Sequence, residues 1–248
     1  MDPVTQSELD TLQCSLSDDG LVFLDGFHSV KHAVRFGADM LLVASANSAK
    51  LDTLLDAVEP MVAKAISESV KSIKWREIEA LGRSRPHWTG VWGVARRPTY
   101  VPADAFEVSA PLILLENPQN LGNVGACIRV AAATGSGGVL LLGDVDLWSA
   151  PVIRAAAGLH FALPVIRIPD LTTIGRPIIA IDPQGEEIGL AKIPENPIFA
   201  FGNERSGISE KILSLSSLKV RLPMREGVSS LNLAVAVGAV LYGTQKAC

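Results

Sequence analysis

LILLENPQNLGNVGACIRVAAAT, residues 112–134, passes from an aliphatic run through a polar, glycine-punctuated loop into an apolar helix. Leu112 to Leu115 read as a strand, Gly122 and Gly125 permit a tight turn and close backbone approach, and the helix is expected over residues 124–134. Further apolar runs follow at helix-sized intervals, at residues 139–142, 165–168, 178–181, 198–201 and 220–222, bounded by Pro or Gly. Six such runs predict an essentially parallel sheet in an α/β domain, with helices near residues 150–158, after Ser209 and over residues 231–242. Composition agrees: aromatics are 5% of the chain while aliphatics and glycine dominate, as suits strands covered on both faces.

Working outward, Pro98, Pro102 and Pro111 mark an extended connector, residues 98–109, ahead of a domain spanning 110–248. Upstream, residues 21–97 read as a small α/β unit with strands at 21–23, 40–44 and 91–95 and helices at 29–36, 49–58 and 73–82. Residues 1–20 form a polar, acidic segment without the basic start and apolar stretch of a secretory signal, so a cytoplasmic protein is expected. Residues 228–245, the least charged stretch near the C-terminus, are too interrupted by Ser, Asn and Gly to span a membrane. Cys14, Cys127 and Cys248 have no paired spacing, which fits a reducing compartment and argues against a disulfide framework or a zinc site. His28 and His32 are read as solvated or RNA-facing, and no metal is expected.

The last helix, SLNLAVAVGAVLY, carries no charge on any face, and a helix apolar all round must be covered all round. A second subunit is the natural cover, with Ala234, Ala236, Gly238 and Ala239 allowing close approach, so a homodimer is expected. Net charge is −4, yet Lys71, Lys74, Arg76, Arg83, Arg85, Arg96 and Arg97 stand against only Glu77 and Glu79, a local balance of +5. With Trp75, Trp88 and Trp92 interleaved, that stretch has the ingredients of a phosphate-contacting, base-stacking surface, or equally of a solvated face over core tryptophans.

Three polar loops follow presumed strands, where the carboxyl ends of an α/β sheet place ligand sites. In the first, residues 117–129, Asn123 is placed to cap the helix or orient a hydroxyl, and Arg129 is the only charge between Asn117 and Gly143. A guanidinium is costly to take out of water, so an isolated one has an anion to meet unless it snorkels to the surface. The second loop, FGNERSG at 201–207, offers Glu204 as a fixed carboxylate; the third, RLPMREGVSSLN at 221–232, offers Ser230 and Asn232.

Together these loops resemble the three signature motifs of the SpoU-type (TrmH-like) branch of the SPOUT RNA methyltransferases. NVGACIR fits the first, FGNERSG the second, and LPM followed by SLN the third, over roughly residues 111–243. Arg205, Ser206 and Ser229 depart from residues common at those positions. The resemblance implies a trefoil-knotted (α/β knot) catalytic domain, preceded by a small α/β substrate-binding domain over residues 21–97. It also implies S-adenosylmethionine as cofactor, a dimer that completes the site, and a ribose 2′-hydroxyl of RNA as methyl acceptor, ribosomal RNA before transfer RNA. It assigns catalysis to Arg129, Asn123, Glu204, Ser230 and Asn232, and cofactor binding to Gly202, Asn203, Glu204, Gly207, Leu222, Met224, Ser230, Leu231 and Asn232. It shifts the segment containing Lys71, Lys74, Arg76, Arg83, Arg85, Arg96 and Arg97 toward RNA contact, joined by Arg129. Two other classes remain: an RNA-binding or ribosome-assembly protein without chemistry, and a dinucleotide oxidoreductase, for which Gly122 and Gly125 supply only a fragment of the needed glycine motif.

Overall fold

The computed structural model describes residues 1–81, 86–171 and 175–245. Two compact units emerge: residues 1–99 with 157–162, and residues 100–156 with 163–248.

The first unit runs α1 (Gln6–Cys14), β1 (Leu21–Asp25), α2 (Phe27–Arg35), β2 (Met40–Ser45), α3 (Ser48–Leu55), α4 (Pro60–Ser69), β3 (Val70–Ser72), α5 (Trp75–Glu79) and β4 (Val91–Arg96). Its sheet has the order β1-β4-β2-β3, with β4 antiparallel to both neighbours and β3 parallel to β2. The first twenty residues, read as a polar segment apart, belong to this unit. Thr5 and Glu8 close a capping box on α1, Leu12 is fully buried, and the amide of Val4 donates to the Ser72 carbonyl at 2.9 Å. Trp92 is core, its indole N–H donating to the buried Asp25 carboxylate at 3.0 Å, whereas Trp75 and Trp88 are exposed. His32 is not a free surface group: its Nδ1 bonds the Ala157 carbonyl at 2.8 Å.

The second unit contains α6 (Pro102–Phe106), β5 (Leu112–Glu116), α7 (Leu121–Ala133), β6 (Gly138–Leu142), α8 (Ala150–Ala155), β7 (Val165–Arg167), β8 (Ile178–Glu187), β9 (Ile198–Phe201), α9 (Glu210–Leu215), β10 (Leu218–Arg221) and α10 (Leu233–Thr244). All six strands pair in parallel, in the order β10-β8-β9-β5-β6-β7. Each expected apolar run is a strand, and β5 and β9 are buried at every position because both sheet faces are covered. The order places β5, β9 and β10 so that their carboxyl ends open on one edge, and the three polar loops leave from there.

Gly125 marks a limit of backbone approach inside this unit. A Cβ there would lie 2.4 Å from the Val152 carbonyl oxygen and 2.6 Å from the Ala155 Cβ, so α7 and α8 meet at a distance only hydrogen allows. This glycine therefore serves helix packing and not the turn at the helix start. Gly125→Ala is expected to lose about 1–3 kcal/mol of unfolding free energy through overpacking, although helix propensity alone favours Ala by about 1 kcal/mol. Denaturant unfolding measures the sign; a stabilised variant would show that α7 and α8 do not pack this closely.

Candidate active site

The site is built from the loop ends upward. Helix α7 begins three residues before the expected start, because Asn120, not Asn123, is its N-cap: the Asn120 Oδ1 accepts the Asn123 amide at 3.1 Å. That frees the Asn123 side chain, in the first turn, to reach out of the helix. Its Nδ2 donates to Glu204 Oε1 at 3.2 Å, and its Oδ1 accepts from Asn232 Nδ2 at 2.9 Å. Asn232 is itself the N-cap of α10, its Oδ1 accepting the amides of Ala234 and Val235. Three loops far apart in sequence are thus joined by two carboxamides and one carboxylate.

Glu204 is the hub. Its Oε2 accepts the Gln119 amide at 2.9 Å, and its Oε1 accepts the Asn120 amide at 3.3 Å besides the Asn123 carboxamide. Partial desolvation works to raise its pKa. The hydrogen bonds from the Gln119 amide, its own amide, the Asn123 carboxamide and the Asn120 amide together outweigh that effect and hold the carboxyl below its ordinary value. Nearby Cys127 is buried in α7, and burial, with the Glu204 charge behind it, pushes its thiol up to about 12, so it stays protonated and inert.

The loop after β9 is closed on itself. Asn203 and Gly207 exchange backbone hydrogen bonds at 3.0 and 2.9 Å, and the Asn203 side chain accepts from the Arg205 amide at 2.8 Å while donating to the Asn117 carbonyl at 2.6 Å. Gly202 faces this closure, and a Cβ on it would sit 2.1 Å from the carbonyl carbon of Gly207. Gly207 takes a positive φ of 71° that a side chain would strain.

These elements enclose an open cleft of about 800 Å3. Every residue assigned to the cofactor lines it: Gly202, Asn203, Glu204, Gly207, Leu222, Met224, Ser230, Leu231 and Asn232, together with Asn123. Both ends of the Asn203 side chain are committed to the protein, which makes it a loop brace in this geometry. The volume suits a small-molecule site of roughly 300–1,000 Å3, and the lining mixes apolar side chains with carboxamides and backbone groups as an adenosyl ligand requires.

Arg129 stands elsewhere. It is exposed, does not line the cleft and makes no hydrogen bond or ion pair among the described residues. Of the two readings of an isolated cation it takes the surface one, and it lies apart from Asn123 for a geometric reason: six residues at 3.6 per turn place Arg129 roughly 240° around the helix. It shares the outer face of α7 with Gly122 and Ala133, both exposed, and Ala126. Among the expected RNA contacts, Lys74 and Arg76 are exposed, Lys71 pairs with Asp2 at 3.4 Å, Arg96 pairs with Asp39 at 3.0 Å, and Arg83 and Arg85 lie outside the described residues. Sequence reasoning missed the amides of Gln119 and Asn120, which no side-chain signal announces. It also missed Asp182 and Pro183 on the cleft wall, although Asp-Pro-Gln-Gly directly after a strand is a turn signature.

Comparison with known proteins bears on this geometry. A family model described as the SpoU rRNA Methylase family matches residues 110–242. An uncharacterized tRNA/rRNA methyltransferase of Synechocystis is 36% identical over 143 residues, 54% of this chain and 52% of that protein, so the match spans about half of that relative's length. A 23S rRNA (adenosine(1067)-2′-O)-methyltransferase of Streptomyces azureus is 24% identical over 256 residues, 97% of this chain and 92% of that protein. Among solved structures, the SpoU methyltransferase AviRb of Streptomyces viridochromogenes in complex with AdoMet superposes with a TM-score of 0.73 at 22% identity, covering 96% of each chain. That likeness shows a shared fold.

The depressed Glu204 pKa sets a pH window. A carboxyl whose folded pKa lies below its unfolded value contributes stability above that unfolded value and loses it as pH falls through the folded one. Glu204→Gln is therefore expected to lower unfolding free energy at neutral pH by about 1 kcal/mol or less, given the exposure of the carboxylate. The gap from the parent should close below the ordinary glutamate value of 4.5. Denaturant titrations across pH read this out; a gap that persists unchanged in acid would mean the carboxylate is not the hub.

Proposed function

This chain belongs to the SpoU rRNA methylase family of S-adenosylmethionine-dependent enzymes and has the family's α/β knot fold, and from that premise we propose that it transfers a methyl group to a ribose 2′-hydroxyl of ribosomal RNA. The observation that carries the reading is the hydrogen-bonded convergence of Asn123, Glu204 and Asn232 at the mouth of a cleft lined by the residues of all three motifs.

When bound, S-adenosylmethionine supplies a methyl on a sulfonium, and displacement from it is in line, so the chain's task is alignment. Asn123, held by Glu204 and Asn232, and Ser230 on the cleft wall fix the acceptor hydroxyl against the donor. Gly202, Leu222, Met224 and Leu231 shape the adenosyl end. Arg129 stays protonated at any physiological pH, has no carboxylate partner among the described residues and stands outside the cleft of its own chain, so it serves the cleft of a second copy, where it holds the phosphate next to the target nucleotide and offsets the charge that develops on the ribose oxygen. Exposed Lys74 and Arg76, with Trp75 and Trp88, extend RNA contact on the first unit.

A homodimer fits the same face. Leu231, Val235 and Tyr242, on and just before α10, are exposed apolar side chains, and α10 packs beside α7, whose outer face carries Arg129 among small residues. A second copy laid on this surface would cover it and bring its own groups beside Arg129. Among the described residues no helix is long and apolar enough to cross a membrane, and RNA as substrate suits the cytoplasm.

The test is incubation with ribosomal and transfer RNA and labelled S-adenosylmethionine, with the modified nucleotide mapped, for the parent and Arg129→Lys. Label on a ribose of ribosomal RNA is expected. Arg129→Lys should lose roughly tenfold or more in rate, uniformly with pH, because a lysine ammonium cannot reproduce the bidentate fork. No labelled RNA would overturn the reading, and retained activity with a shifted pH optimum would make Arg129 a titrating base instead.

A further inference from the structure

Strands β8 and β10 pair in two registers. Ala180 lies opposite Lys219, but the next residue of β10, Val220, lies opposite Glu186, so residues 181–185 bulge out of the ladder. Gly185 permits the return: a Cβ there would sit 2.5 Å from the Val220 amide nitrogen. The bulge carries Asp182 and Pro183 onto the wall of the cleft.

Two carboxylates line the cleft, and their situations differ. Glu204 is saturated by protein donors on both oxygens. Among the described residues Asp182, partly buried, accepts only the Gln184 amide, on Oδ1 at 2.8 Å, and has no ion pair; Arg221, the cleft residue on neighbouring β10, is turned to Glu187 at 3.5 Å. A half-buried carboxylate with an open oxygen in a ligand cleft is an acceptor awaiting donors.

The cleft says which donors: Asp182 lines it together with Gly202, which directly follows β9, and Leu222, which directly follows β10, the two strands that flank β8. Those two residues shape the adenosyl end in the reading above.

We infer that Asp182 accepts the vicinal ribose hydroxyls of the methyl donor, making it a cofactor-recognition residue presented by the β8 bulge. A carboxylate suits this task because its two oxygens accept both hydroxyls of a diol and it offers no donor to compete. This assignment rests on the proposed use of S-adenosylmethionine in the cleft.

Isothermal titration calorimetry of the full chain tests it, with S-adenosylhomocysteine and its 2′,3′-dideoxyadenosyl analogue as the two probes, on the parent, Asp182→Asn and Asp182→Ala. Asp182→Asn keeps an oxygen for the Gln184 amide and so guards against simple loss of the bulge. The parent should prefer the diol ligand by roughly tenfold to a hundredfold, and both variants should lose most of that preference while binding the dideoxy analogue about as well as the parent. Variants that keep the parent's preference, or that weaken both ligands by the same factor, overturn the assignment of Asp182 to the diol and leave the methyltransferase reading standing. A parent that binds neither ligand removes that reading as well.

Discussion

One carboxylate ties together the loops that line the cleft of the second unit. Glu204 leaves the end of β9 and accepts two amides from the loop after β5 and a carboxamide from the first turn of α7, and through Asn123 it is tied to the cap of α10. An ionised carboxylate accepts and cannot donate, so each of its partners must present N–H, which fixes the flip of Asn123. With Nδ2 committed to Glu204, the Asn123 oxygen must face Asn232, and Asn232 must offer Nδ2 because its own oxygen caps α10. The donor and acceptor order of the whole chain follows from the charge at its origin.

Around that hub the backbone is brought closer than side chains permit. Gly202 against Gly207, Gly185 against Val220 and Gly125 against α8 are three places where a Cβ would collide with backbone. The first closes the loop after β9, the second shapes the bulge on the cleft wall, and the third seats the helix that carries Asn123. Parallel pairing supplies the remaining order, because it sets the ends of β5, β9 and β10 on one edge, and polar loops leave a parallel sheet where ligands can enter.

Much of this was legible in the sequence, and the failures have causes. The six strands of the second unit stood out because strands buried on both faces read as unbroken aliphatic runs between Pro and Gly. In the first unit α4 and β3 went unread, the one built on little more than Val62 and Ile66, the other only three residues long. Helix α1 was hidden by the polarity of its surroundings, although Thr5 and Glu8 stand at capping-box spacing. Asn120 and Asn123 are equally good caps by type, and only the fold decides between them. The isolation of Arg129 is legible in the sequence, but between its two environments, beside an anion or out on the surface, only the fold decides. Basic residues of the first unit were visible as charge, whereas the pairing of Lys71 and Arg96 with acidic residues distant in sequence was not.

Asn123 and Asn232, bonded to each other on the cleft wall, act there as one unit. A double-mutant cycle on S-adenosylhomocysteine affinity, using Asn123→Ala and Asn232→Ser so that a hydroxyl still caps α10, measures this most directly. A coupling energy of about 0.5–3 kcal/mol is predicted, the double variant binding little worse than either single one. Effects that add to within about 0.3 kcal/mol would contradict it, and the loops would then be neighbours without being one site.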